Sequence, residues 1–350
     1  MERMVGPTPD VRSIDPDAVG VFEVRPGVWS LRIPLVWPGI SYVNAVVLES
    51  EGPGVTLVDC GTAGHHTCWE GLVNGLAGTG HRIEDVTDLV VTHAHSDHFG
   101  LAAKVVEESG CVMWMHPAHE AFTDGAHDPA RIHAARERRA RAEGVPEHDL
   151  PTYADTGEET DFALAPLPPF RELASGMQIA SRLGPWDVLE TPGHSPSHVC
   201  LYQPQERLLL LGDLVSRVFA PWYDYGYTPD PVAELAASLD LVAGLDVDLA
   251  LPGHGRPIAG DELTALVDEH RAEITRRLEL VEAEVARQPG PAYEIGLRAF
   301  GPSPSMMAEV GRLQEAMACL RHLRLRGRVT REELPSGVFR WSPTGGNPEG

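Results

Sequence analysis

Residues 90–101 read VVTHAHSDHFGL, which places His93, His95, Asp97 and His98 within six positions directly after a β-branched run. In an extended segment alternate side chains share a face, so His93, His95 and Asp97 can converge where the strand opens into a loop, with His98 turned to a neighbouring point. One stretch can thus feed two metal ions. Neutral imidazoles and a carboxylate are ligands that Zn²⁺, Mn²⁺ and Fe accept. The five cysteines, Cys60, Cys68, Cys111, Cys200 and Cys319, are scattered and form no CxxC pair, which argues against both a thiolate zinc site and a disulfide framework. A single histidine of this kind reads as a hydrogen-bonded structural residue. Four such groups buried together without partners would cost several kcal/mol, and ligation accounts for them better than packing does.

Four donors cannot complete two coordination shells, so others must sit at further strand ends. His194 in TPGHSPSH, Asp213 in LLLGD and His254 in LPGHG each follow an apolar run and have glycine beside them, which lets backbone approach a crowded site. A carboxylate bridging two cations roughly 3.5–4 Å apart allows them to share a water whose pKa falls toward ~7, a hydrolase design. Other residues carry weaker signals. His116 ends a strand and can face the pocket, and the loop FAPWYDYGYTPDP at 219–231 can wall a substrate through Tyr225 and Tyr227 or simply pack onto the core. His198 opens a strand and reads as structural, while His119 and His270 stay unassigned.

The elements that must position these groups are short. GVWSLRIP, YVNAVVLES, GVTLVDCG, DLVVTHAH and CVMWMHP read as strands in the first half, with a helix over HTCWEGLVNGLAGTG. WDVLETPGH, HVCLYQ, RLLLLGD and VDLALPGHG read as strands in the second half, and the mixture makes an α+β chain. Between the halves, 117–172 is polar and rich in Ala, Arg, Glu and Pro, and reads as an insertion, either a solvated helix and loop or a lid. After Pro257 a long helix carries Leu263, Leu266, Val267, His270, Ile274, Leu278, Val281 and Val285 on one face. A second helix bears Leu313, Met317, Leu320 and Leu323 and precedes a VFRW strand, a winged-helix-like order. The expected division is a catalytic domain over 1–258, containing the insertion, and a helical module over 259–350.

The motifs THAHSDH, VDCG with Asp59, TPGH, GD and PGHG, in that order, resemble the metallo-β-lactamase superfamily. The resemblance implies an αββα sandwich with the site at one edge between two stacked sheets. It implies that His93, His95 and His194 hold one metal and Asp97, His98 and His254 a second, that Asp213 bridges, and that Asp59 orients a ligating histidine. Cys60 stands where Thr is commoner and Ser197 where Gly is usual; neither change removes a ligand. More weakly, the C-terminal part resembles the β-lactamase-like protein 2 subgroup, which invites an RNA reading.

A formal net charge of −23 makes the surface repel polyanions unless a local patch reverses it. Arg321, His322, Arg324, Arg326, Arg328 and Arg331 form one such patch, with little aromatic interleaving. No apolar run approaches a membrane span, and the N-terminal residues lack the apolar core of a secretory signal, which predicts a cytoplasmic protein and disfavours a β-lactamase. The chain admits a homodimer. The expected function is a dinuclear metal-dependent hydrolase, most readily with two Zn²⁺ (Mn²⁺ or Fe being alternatives), that uses a metal-bound hydroxide on a small-molecule ester, thioester or lactone, with Asp97 handling the proton. The alternatives are a metal-dependent RNA endonuclease using the arginine tail, a DNA-reading protein whose metal site senses a ligand, and a mononuclear iron dioxygenase.

Overall fold

Alternation along the strands sorts the core into layers. The computed structural model describes residues 20–37, 39–63, 65–120, 123, 129–154, 167–302 and 305–345. A seven-stranded sheet runs in chain order through β1 (Val21–Arg25), β2 (Val28–Trp37), β3 (Ile40–Glu49), β4 (Val55–Val58), β5 (Val86–Val90), β6 (Val112–Met115) and β7 (Phe170–Glu172). Its first four strands are antiparallel neighbours and the rest pair in parallel. A six-stranded sheet has the order β13 (Ile258–Ala259), β12 (Leu249–Pro252), β11 (Leu208–Gly212), β10 (Val199–Gln203), β9 (Trp186–Glu190) and β8 (Gln178–Ile179).

In β3, Val43, Ala45 and Val47 face outward onto α1 (His66–Thr79) and α3 (Ala102–Ser109), meeting Leu72, Leu76 and Val105. Val46 and Leu48 face inward and meet Val188, Leu201, Leu210 and Leu249 of the second sheet. There the parity repeats: Leu208 and Leu210 point between the sheets, and Leu209 and Leu211 point outward to α6 (Pro231–Ala243) and α7 (Gly260–Arg287). The result is the expected four-layer αββα order. A one-residue register slip would carry each strand's apolar set to the wrong face.

The C-terminal residues form α8 (Ala292–Phe300), which the sequence reading did not place, α9 (Met306–Leu325) and an antiparallel ribbon of β14 (Val329–Glu333) and β15 (Phe339–Pro343). Leu313, Met317, Leu320 and Leu323 are all buried, as are Leu263, Leu266, Val267, His270, Ile274, Val281 and Val285 on α7. These apolar side chains share one continuous core with Leu209 and Leu211. Each fully buried aliphatic side chain stabilises that contact by roughly 1.5–3 kcal/mol.

The insertion is less solvated than its composition suggests. It contains α4 (Pro129–Ala142) and α5 (Leu150–Ala154), and Ala140, Val145, Leu150 and Tyr153 enter that same core. Residues 121–122, 124–128 and 155–166 of the segment lie outside the described residues. The turn after α4 packs against the C-terminal residues at Gly144, where φ is +86° and an added Cβ would strike the Pro291 ring. Beside it the buried Glu143 accepts a hydrogen bond from Trp341 Nε1 at 3.1 Å. No helix among the described residues is long and apolar enough to cross a membrane.

Candidate metal centre

β5 ends at Val90, earlier than strand alternation through residue 97 requires. His93 and His95 stand in the loop that follows, and a one-turn helix, α2 (Ser96–Phe99), carries Asp97 and His98. The four donors do come together, but not as strand alternation would group them: Asp97 shares a cluster with His98 and His254 rather than with His93 and His95, because a helical turn and not an extended strand carries it.

The remaining donors arrive from the second sheet. His194 follows β9, Asp213 follows β11 and His254 follows β12, so the centre sits where the ends of both sheets meet. The loop carrying His254 is pinned to the first sheet, because Asn44 Nδ2 donates to Pro252 O and Gly255 O at 2.8 Å each. Gly253 is required there. A Cβ on it would fall inside contact distance of Asp213 Oδ1 and 2.6 Å from His98 Cε1.

The imidazoles of His95, His98 and His254 are each oriented through one ring nitrogen. His254 Nδ1 donates to Tyr42 O at 3.0 Å, and His98 Nδ1 meets Asp59 Oδ2 at 2.8 Å. Asp59 is itself held at φ 61°, a backbone conformation uncommon outside glycine, while its carboxylate accepts from the Thr92 amide and hydroxyl at 2.8 Å each. Asp59 thus fixes the ring of His98. His95 Nε2 lies 3.2 Å from both oxygens of Asp224, leaving Nδ1 inward.

The inward atoms form three overlapping groups of three, of which His93, His98 and Asp213 make one. His93, His95 and His194 place one ligand atom each within 4.8 Å of one another, and so do Asp97, His98 and His254. Asp213 lies between them: Oδ1 is 3.3 Å from His98 Nε2, and Oδ2 is 3.4 Å from His254 Nε2 and 3.8 Å from His194 Nε2. His93 Nε2, His98 Nε2 and Asp213 Oδ1 are buried and make no hydrogen bond among the described residues. Buried polar atoms that lack partners are costly, and here three of them face one point. The donor set therefore fits divalent cations.

Electrostatics divide the site. Burial holds His93 and His194 below the ordinary imidazole value, helped by neighbouring histidines, and brings His194 to about 4. At His254 burial is opposed and outweighed by Asp213 and Asp97, which raise it to about 10, and His98 is raised by the same two carboxylates and Asp59. Burial alone would raise Asp97 and Asp213, but His98 and His254 beside them hold both below the usual carboxylate range. On the other side burial likewise opposes the charged form of His95, but Asp224 beside it outweighs burial and raises that imidazole, so only His93 and His194 are held toward the neutral form.

His198, Ser197 and Cys60 back the donors, and the other histidines have partners of their own. His198 clamps Asp213 from behind, accepting the Asp213 amide at Nε2 (3.0 Å) and meeting Thr191 Oγ1 at Nδ1 (2.8 Å). Ser197 Oγ accepts the Ala94 amide at 3.1 Å, which ties down the backbone between His93 and His95. Cys60 is fully buried and donates Sγ–H to His98 O at 3.3 Å; burial pushes its thiol well up, so it is a packed, unreactive residue. His116 pairs with Glu190 at 3.6 Å, and His119 Nδ1 lies 2.6 Å from Thr123 Oγ1. The buried His270 accepts the Ser216 amide at 3.5 Å. Tyr225 and Tyr227 line a cleft beside Asp224. Sequence reading missed Asp224, although it lies within the same aromatic loop, as the carboxylate between Tyr223 and Tyr225.

Fold and donor set together define an enzyme of the metal-dependent hydrolase class. The family model described as the metallo-beta-lactamase superfamily matches residues 38–254, and the chain belongs to that superfamily. Among curated relatives, the probable metallo-hydrolase YqjP of Bacillus subtilis is 25% identical over 290 residues, covering 78% of this chain and 85% of the relative. A beta-lactamase-like protein 2 homolog of Caenorhabditis elegans is 24% identical over 73% of this chain and 70% of its own length. Acyl-coenzyme A thioesterase MBLAC2 of Gallus gallus is 28% identical over 110 residues, 31% of this chain and 40% of that protein. Among solved structures, the metallo-beta-lactamase family protein TTHA1429 of Thermus thermophilus superposes with a TM-score of 0.78 at 28% identity, over 92% of this chain and 100% of that one.

Proposed function

We propose that this chain is a dinuclear metal-dependent hydrolase of a small carbonyl substrate, an ester, thioester or lactone. The observation that carries the reading is the pair of three-residue clusters with Asp213 between them, in which His95, His98 and His254 are fixed by outward hydrogen bonds. His93, His95 and His194 would hold one cation, Asp97, His98 and His254 the other. When bound, such a pair supplies Lewis acidity toward a carbonyl oxygen and activates water near neutral pH. The chain's own residues hold the geometry and move the proton. Asp97 is the carboxylate of the second cluster and would take up the proton on a carboxylate oxygen.

Three features favour a carbonyl over RNA. The net charge of −23 opposes a polyanion. The basic tail is largely consumed internally, with Arg321 donating to Pro229 O, His322 on Asp230 at 3.0 Å, Arg328 on Glu282 at 2.7 Å and Arg331 stacked 4.1 Å from the Phe339 ring. The match to a named acyl-thioesterase adds weight on the same side. The test is turnover by Zn- and Mn-reconstituted protein of an acyl-thioester series, a lactone series and a single-stranded RNA, with Asp213→Ala as blank. Carbonyl hydrolysis that disappears in the blank is the expected result. RNA cleavage with no carbonyl turnover would overturn the proposal.

A further inference from the structure

Asp224 touches two things at once. Its carboxylate braces His95 at 3.2 Å, and it also lines a cleft between α4, the 219–230 loop and α9. Ile132 and Ala135 of α4 form one wall, Leu313 and Met317 of α9 the facing wall, and Trp222 and Tyr225 the loop side. Gly311 lets the Trp222 ring lie on α9, since a Cβ there would already be 3.3 Å from the ring.

Several polar groups along the cleft are turned to the protein itself. Arg139 Nη1 donates to Tyr225 O at 2.9 Å, its guanidinium stands 5.7 Å from the Tyr225 ring, and Gln314 Oε1 accepts the Tyr225 amide at 3.4 Å. Asp224 is likewise committed to His95. Apart from Arg136 on α4, what the walls offer to a ligand is mainly hydrocarbon and aromatic surface, which complements an apolar chain.

We infer that this cleft is the acyl pocket of the centre and that the substrate's acid part is an apolar aliphatic or aromatic chain. The assignment rests on the carbonyl-hydrolase reading above. It places the chain's carbonyl end at the His95 side of Asp224 and its tail between α4 and α9, so the insertion and the C-terminal module jointly set substrate choice. Each methylene withdrawn from water there strengthens binding about fourfold until the cleft is full.

The experiment measures kcat/KM for thioesters of one thiol with acetyl, butanoyl, hexanoyl and octanoyl groups, and for acetyl thioesters of progressively longer alkyl thiols. Variants are Ala135→Phe, which fills the cleft, Met317→Ala, which enlarges it, and Leu325→Trp, a control at a 57% exposed position far along α9. We expect kcat/KM to climb with acyl length in the wild type and in Leu325→Trp. Ala135→Phe should lower the octanoyl-to-acetyl ratio at least about tenfold, and Met317→Ala should move the optimum to longer chains. An unchanged acyl profile in both cleft variants would overturn the assignment, as would the same changes appearing only in the alkyl-thiol series, which would make the cleft the leaving-group site. If the wild type hydrolyses neither these thioesters nor the corresponding esters and lactones, the hydrolase reading fails separately. The cleft is then judged by calorimetric binding of a non-hydrolysable octanoyl methyl ketone: binding lost in Ala135→Phe and kept in Leu325→Trp sustains the chain site, and no binding to the wild type removes it.

Discussion

Gly253 shows how little room a single position next to the centre can have. A methyl group there would enter the space held by Asp213 Oδ1 and crowd His98, yet Gly253 itself donates no ligand. Gly253→Ala should therefore leave the far-ultraviolet circular dichroism unchanged while lowering the metal content after dialysis by one or both equivalents, measured by elemental analysis; full metal content would show that the loop yields easily. Asp224 makes the complementary case. It braces His95 from outside, and outer partners of this kind typically matter by roughly 10–100-fold in metal affinity. Asp224→Ala should weaken the metal at the His93, His95 and His194 cluster by that factor in a chelator competition, and Asp224→Asn, which keeps hydrogen-bonding capacity, should recover part of it. Equal affinity in all three proteins would reduce Asp224 to a wall of the cleft.

At the scale of elements, the junction between insertion and C-terminal module carries its own titration. Burial raises the Glu143 carboxyl above its ordinary value, outweighing the Trp341 N–H and the Arg331 charge that favour the anion. The native state thus holds that proton more tightly than the unfolded chain does. The resulting stability is complete below the unfolded value near 4.5 and is lost as pH rises through the higher folded value. Glu143→Gln keeps an acceptor for Trp341 Nε1 and removes the buried charge, so its Tm should exceed the wild type's by roughly 2–4 °C at alkaline pH and converge with it in acid. A Tm difference independent of pH would contradict this account. The same scale shows what was legible in the sequence. The strands that end in DCG, TPGH, GD and PGHG could be read because each couples an apolar run to a turn residue and a donor. By contrast β8 and β13, two residues each, have no pattern to read and exist through their neighbours in the sheet. Asp224 was hidden for a related reason: its partner His95 lies 129 residues away, and nothing in the aromatic loop marks one carboxylate above another. The one-turn helix under Asp97 and His98 was hidden too, because a four-residue segment is too short to show a period.

At the scale of the molecule, the centre is a clasp between halves. His93, His95, Asp97 and His98 belong to the first sheet's loops and His194, Asp213 and His254 to the second's, and these sheets also meet through apolar contacts such as Val46, Leu48 and Val90 against Val188, Leu201 and Leu210 and through the Asn44 hydrogen bonds to the His254 loop. A cation that binds both sets binds the folded chain and not the unfolded one, so it stabilises by RT ln(1 + [L]/Kd), about 4 kcal/mol at a thousandfold excess over Kd. Removal by a chelator should therefore lower the Tm by several degrees, and added Zn²⁺ should restore it in a concentration-dependent way. Asp213→Ala deletes the carboxylate that stands between the clusters, and its Tm should respond much less to the metal. The comparison separates two architectures. If the ion only decorated one sheet's loop, Asp213→Ala would keep the wild-type response, because His93, His95 and His98 come from a single stretch. A response that depends on Asp213 requires both sheets to close on the same ions, and the two halves of the sandwich are then joined through the same atoms that carry the chemistry.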